Sequence, residues 1–299
     1  MWRGVLAIVV LFCIITSFML CRYELEMKSG DWFVPKAEKK QPSQHTKTET
    51  VLPEPEELEM VSSDGLILKA DLYPFPSHRY AVSAHGYRGS RNDMRSYASV
   101  FHSWGCNVLL PDSRAHGGSE GGFTTMGLKE KDDLISWINL IIGRDPEAVI
   151  FLHGVSMGGT TVMLCSGEDL PDNVKAVIED CGYSSVWDIN KDELKAVAHL
   201  PAFPILYLTD LFFRLYTGKS GKDVSAKDAV ARSTVPVLFI HGERDNFIRP
   251  SMMEECYQAK TEGLKEQLYV PGAKHAGSSK TDPDLYFTTI KEFLALAGF

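Results

Sequence analysis

The sequence predicts an α/β protein: a mainly parallel sheet with helices on both faces, a helical insertion, and one apolar helix ahead of it. Three observations carry this. From about Glu57 onward, short β-rich runs alternate with helical runs. The β-rich runs are almost continuously apolar, as strands covered on both faces must be. No charge occurs between Arg3 and Arg22, which makes that stretch a membrane element.

The stretch 4–21 holds 18 residues, nearly all apolar. At ~1.5 Å per residue it reaches about 27 Å, close to the ~30 Å of a bilayer core. A cleaved signal peptide is the rival reading. No A-x-A-like site follows, however, and Leu20 stands where a lipoprotein cysteine needs a small residue. We read an uncleaved anchor over 1–28, crossing at about 4–21. The signal-like layout suggests export. The positive-inside count disagrees, with Arg3 before the segment and Arg22, Lys28, Lys36, Lys39 and Lys40 after it. The expected side for the folded part is extracytoplasmic. Residues 29–56, with Pro35, Pro42, Pro53 and Pro55, read as a polar linker.

The folded unit is expected over 57–299. Strands are predicted at 58–61 and 66–73 around the turn Ser63-Asp64-Gly65, then at 80–84, 107–110, 148–152, 174–178, 235–240 and 266–270. Helices are predicted at 92–104, 129–142, 157–165, 251–259 and 285–297. The second of these carries Leu134, Trp137, Ile138 and Ile141 at i, i+3, i+4, i+7. Residues 184–234 break the rhythm. Their centre, 200–216, is strongly apolar, but Pro201, Pro204, Asp210 and Arg214 argue against a second span. We read a helical cap whose apolar residues line a pocket, or simply cover core.

Of the 299 residues, 44% are apolar and 23% charged, an ordinary globular balance that excludes a disordered chain. Net charge is −8 and no basic stripe occurs, so nucleic acid is not an expected partner. The six cysteines form no C-x-x-C pair and no zinc spacing. They are expected to be free thiols, and no metal site is predicted.

The sharpest chemical signal is Gly154-Val155-Ser156-Met157-Gly158-Gly159, between a predicted strand and a predicted helix. That is the context in which G-x-S-x-G holds a nucleophile. Chain passing close at positions two before and two after requires glycine there. The hydroxyl needs a base, and the motif demands the order Ser, acid, His. His275, in the loop after 266–270, lies beyond the last core strand. Asp245 stands past the carboxyl end of 235–240, where open α/β sheets build sites. Asp180 is the rival acid, and Glu243 lies too near its strand. Backbone N–H groups of Met157 and of Tyr87, in His85-Gly86-Tyr87-Arg88-Gly89, are the expected oxyanion donors. His85 and His153 read as structural hydrogen-bonders. Arg88 either meets an anionic substrate or is a surface residue. Residues 112–119, Asp-Ser-Arg-Ala-His-Gly-Gly-Ser, lack a following G-K-[ST] and read as a polar prop for the site rather than a phosphate loop.

These motifs, in this order from residue 57 on, resemble the α/β-hydrolase superfamily, and with the anchor they are similar to bacterial membrane-associated or cell-surface, Bem46-like serine hydrolases. The resemblance implies an eight-stranded sheet, a serine nucleophile, and no metal or organic cofactor. The expected activity is hydrolysis of a carboxylic ester, of a small-molecule acyl substrate with apolar character, by Ser156, Asp245 and His275. The lipid bilayer is the expected partner of the N-terminal helix. Thioesterase or serine peptidase chemistry would use the same parts. A catalytically silent binding or scaffold protein is the reading from another class.

Overall fold

The computed structural model describes residues 2–26, 52–196 and 199–299. Most of the expected linker, 27–51, lies outside the described residues.

Eight strands form one sheet: β1 (Glu56–Val61), β2 (Ile67–Tyr73), β3 (Arg79–Ala84), β4 (Asn107–Pro111), β5 (Val149–Val155), β6 (Val174–Asp180), β7 (Val237–Gly242) and β8 (Lys265–Val270). Their order is β1-β2-β4-β3-β5-β6-β7-β8. β1, β2 and β4 pair antiparallel, and every other pairing is parallel. The helices are α1 (Trp2–Leu25), α2 (Arg95–Ser103), α3 (Glu130–Arg144), α4 (Met157–Ser166), α5 (Val186–Ala196), α6 (Ala202–Thr217), α7 (Ala226–Arg232), α8 (Pro250–Ala259), α9 (Ser278–Thr281) and α10 (Pro283–Leu296). The order reverses at β3 and β4, so crossovers leave β3, β5, β6, β7 and β8 with their carboxyl ends on one edge.

Strand alternation divides the core in two. Ile150 and Leu152 of β5, with Val237 and Phe239 of β7, face α3, α4, α7 and α8. Phe151 and Val155, with Leu238 and Ile240, face α2 and α10. Both faces are dry, which is why the central strands read as unbroken apolar runs.

The strand ends differ from the expectation. β5 runs on through His153, Gly154 and Val155, and β6 through Glu179 and Asp180. Polar residues persist there because they find partners inside. His153 sits between the Ser83 hydroxyl (2.7 Å) and the Tyr286 hydroxyl (3.0 Å). Glu179 accepts from the Gly182 N–H (2.9 Å). The turn of helix α9 carried no sequence signal.

The stretch 184–234 divides. Ser185 and Ser225 form a bridge that closes its base, and α5 and α6 lie beyond it. α7 packs instead between α4 and α8 in the main core. α1 is long and apolar enough over Val5–Leu25 to cross a membrane, so the helix outruns the expected segment. Its second half packs along α6. The Ser17 hydroxyl donates to the Ile205 carbonyl (3.0 Å), and the Phe18 and Phe212 rings meet edge-on at 5.3 Å. Cys21 and Leu25 are fully buried. All six cysteines are free, five of them buried.

Arg114, in the loop after β4, is buried and forked onto Asp133 (2.8 and 2.7 Å), with two further bonds to Asp64 (2.9 and 3.3 Å). Arg114→Leu leaves a buried carboxylate unpaired, so a loss of about 3–5 kcal/mol is expected. Urea unfolding measures it, and Arg114→Lys, lacking the fork, should recover only part.

Candidate active site

Ser156 is the last residue before α4, held at φ 59° and ψ −119°. Such a backbone costs about 1–3 kcal/mol in a non-glycine residue. The surroundings impose it. A Cβ on Gly154 would strike the Gly158 carbonyl, and one on Gly158 would strike the Ala84 carbonyl at the end of β3. Three chain segments are thus in backbone contact. The Ser156 N–H donates to the Asp180 carbonyl (2.8 Å), fixing the turn to β6. The hydroxyl projects at the carboxyl edge of the sheet, with α4 presenting its N-terminus beneath it.

His275 lies in the loop after β8. Its Nε2 is 2.9 Å from the Ser156 Oγ and its Nδ1 is 2.7 Å from the Asp245 Oδ2. Asp245 follows β7 and is 4% exposed. Its Oδ1 accepts from the Phe247 and Ile248 N–H groups (2.9 and 3.0 Å). Burial alone would raise this carboxyl. Hydrogen bonds from His241 and His275 and the positive charge His275 can carry outweigh it, and hold Asp245 well below the ordinary carboxylate range. An ionised carboxylate only accepts. His275 therefore keeps its proton on Nδ1, and Nε2 is free to take the serine proton. His241, buried beside Asp245 (3.3 Å), is disfavoured as a cation by burial but raised on balance by the Asp245 and Glu179 carboxylates. Asp180, the rival acid, instead accepts from the Ser278 hydroxyl (3.0 Å), and burial raises it to about 6.

The loop after β3 passes directly over Ser156: a Cβ on Gly86 would lie 3.3 Å from the Ser156 Cβ. Tyr87 follows at once. Two histidines hold this loop. His85 Nε2 accepts from the Ser113 N–H (3.0 Å), which leaves Nδ1–H to donate to the Gly86 carbonyl (2.7 Å). His116 Nε2 accepts from the Arg88 N–H (3.1 Å), with Nδ1–H on the Arg114 carbonyl (2.8 Å). Both stay neutral. Burial lowers His85 to about 4 and also lowers His116. Burial takes His153 to about 3. Asp112 accepts from the Arg91 and Gly118 N–H groups (2.7 and 2.8 Å), so residues 112–119 brace the loop. Arg88 is exposed and turned toward α1. Its guanidinium lies over the Tyr23 ring at 4.6 Å and donates to the Tyr23 carbonyl (3.3 Å).

Two features carried no usable sequence signal. Cys181 places its sulfur within 4.8 Å of the ligand atoms of Asp245 and His275. Burial pushes this thiol far above its usual range, and its two neighbours already hold each other. The group is thus a hydrogen-bonded relay over a neutral thiol. The other feature is the end of α1. The Tyr87 hydroxyl lies against the Tyr23 and Glu24 carbonyls (3.0 and 2.8 Å), and the Thr124 N–H donates to the Leu25 carbonyl (2.9 Å). These groups satisfy the last carbonyls of the helix.

Known proteins match much of this chain. The profile of the serine aminopeptidase family S33 matches residues 76–201. The Bacillus subtilis protein YqkD is 32% identical over 222 residues, covering 74% of this chain and 72% of that one. The Arabidopsis thaliana α/β-hydrolase domain-containing protein WAV2 is 25% identical over 206 residues, 63% of this chain and 60% of that one. The Pyrococcus furiosus esterase Pf2001 superposes with a TM-score of 0.67 at 24% identity, over 81% of this chain and 92% of that one. The chain belongs to the α/β-hydrolase superfamily. In this hydrolase the eight strands and their order place Ser156, Asp245 and His275 at the ends of β5, β7 and β8.

The lowered Asp245 sets a sign for pH. A depressed folded pKa adds stability above the unfolded value of about 3.9, lost progressively as pH falls toward the folded value. The difference in unfolding free energy between wild type and Asp245→Asn should therefore shrink as pH drops below about 4. Urea titrations from neutral pH downward measure this.

Proposed function

We propose that the hydrolase cleaves carboxylic esters through an acyl-enzyme on Ser156. The observation that carries this is the unbroken line from the Ser156 hydroxyl to the His275 imidazole to the Asp245 carboxylate, 2.9 and 2.7 Å. Ser156 Oγ attacks the carbonyl carbon as Nε2 of His275 takes its proton. The carbonyl oxygen becomes an oxyanion, received by the N–H groups of Tyr87 and Met157. The tetrahedral centre collapses, and the alkoxide leaves with the proton from Nε2. Water then repeats the sequence, giving its proton to His275 and releasing the acid. Asp245 keeps the imidazole in the required tautomer and stabilises its charged form. No metal or organic cofactor is needed for these steps.

The substrate reading is a small acyl ester with an apolar part. Phe247 supports it. Its ring is 49% exposed and stands edge-on to the His275 imidazole at 4.9 Å, an apolar surface at the mouth of the site. A thioester is the second reading. It is favoured by the Aspergillus aculeatus relative named thiohydrolase AneE, 34% identical over 136 residues, 42% of this chain and 41% of that one.

We further read α1 as a single-pass anchor, with the folded part extracytoplasmic. Its length and composition support the anchor. So does a relative named as a membrane protein in Saccharomyces cerevisiae, 25% identical over 202 residues. Protease accessibility in intact cells tests the side.

Ser156→Ala should lower ester hydrolysis by about 10⁶-fold and abolish fluorophosphonate labelling, with the thermal melt unchanged. Ester hydrolysis at the wild-type rate in that variant would sink the mechanism. Tyr87→Pro, which removes one N–H donor, should cost about 10²–10³ in kcat. Acyl esters and acyl thioesters of matched chain length, assayed side by side, separate the two substrate readings.

A further inference from the structure

The outward face of α6 is apolar where a water-facing helix would be polar. Phe203, Tyr207, Leu211 and Leu215 are 74%, 52%, 50% and 73% exposed. Tyr207, Leu211 and Leu215 stand four residues apart on one side of the helix, and the Phe203 ring, on non-helical backbone, meets Tyr207 edge-on at 5.9 Å.

The partner that fits this stripe follows from α1. The two helices lie side by side with residue numbers rising together: Ser17 meets Ile205, and Phe18 meets Phe212. Among the residues of α1 whose exposure is described, 5–12 form the run exposed all round. At ~1.5 Å per residue they reach about 12 Å, less than half of a ~30 Å hydrocarbon core. While docked, α1 cannot go deeper without carrying α6 to the bilayer.

The chemistry around the stripe suits that position. The Trp187 and Tyr207 rings meet edge-on at 5.1 Å, and Lys222 Nζ lies 4.0 Å from the Trp187 ring centre. Arg214 is exposed between Leu211 and Leu215. Tryptophan and tyrosine gather at the membrane–water boundary, and cations there attract anionic headgroups. The nearest acid on α6 is turned inward: Asp210 accepts from the Ser220 hydroxyl (2.8 Å) and the Gly221 N–H (2.6 Å).

We propose that α6 is a second membrane-contacting element, held against the bilayer by its docking to α1, with its apolar stripe toward the acyl chains and Lys222 and Arg214 toward the headgroups. This rests on the reading of α1 as an anchor. The Tyr87 loop is tied to the end of α1, so the helix that would enter the bilayer also holds one loop of the site.

The test uses the full chain in vesicles of phosphatidylcholine and phosphatidylglycerol. In a Cys13→Ser background, Leu211→Cys and Leu215→Cys are each labelled with an environment-sensitive fluorophore. Val61→Cys, exposed on β1, serves as the water reference. Labels at 211 and 215 should emit to the blue of the reference and be quenched about twofold or more by lipids carrying a nitroxide on the acyl chain. Labels that match the reference overturn the proposal. So does shielding without lipid quenching, which would mean that a second copy or another protein covers α6. Flotation of the unlabelled chain keeps the two readings apart. Flotation with both labels in water removes only the α6 contact, and failure to float removes the anchor as well.

Discussion

The site depends on one steric constraint, the backbone contact between the β5–α4 turn and the end of β3. Gly158 lies against the Ala84 carbonyl, and Gly154 against Gly158. Side chains at either place would push the segments apart. Their absence lets the turn close tightly enough to hold Ser156 at positive φ with its hydroxyl above the sheet. The same contact brings the Gly86–Tyr87 backbone over Ser156. Ser156 and the backbone of Gly86 and Tyr87 are therefore one packing unit, and each is positioned by the other.

Around that unit the protein spends buried polar groups on rigidity. His85 and His116 each bridge an N–H and a carbonyl, and burial keeps both uncharged. A buried neutral imidazole with both nitrogens satisfied is a stiff strut. His275 differs in its partners. It faces an ionised carboxylate on one side and a hydroxyl on the other. Identical side chains thus meet different surroundings according to their neighbours.

The N-terminal helix is part of this architecture rather than an appendage. Its last carbonyls are received by Tyr87, Arg88 and Thr124, and Cys21 and Leu25 fill the cluster that also holds Met157 and Phe213. A displacement of α1 would be felt at the Tyr87 loop through hydrogen bonds and at α4 through packing.

The sequence alone determined the elements whose signals are local. Alternating apolar runs marked the strands, and the glycines flanking Ser156 marked the turn, because a backbone contact forbids other residues there. Chain order reduced nine histidines to His275. The tertiary structure decided what depends on residues distant in sequence. It chose Asp245 over Asp180, since both follow buried strands and only register and loop path determine which carboxylate reaches the imidazole. It continued β5 and β6 through polar residues, whose partners lie on other strands and helices. It turned Arg88 from the site toward Tyr23, placed Cys181 beneath the relay, and set α1 against α6. Hydropathy reports how apolar a residue is, but only the folded chain decides which surface it meets.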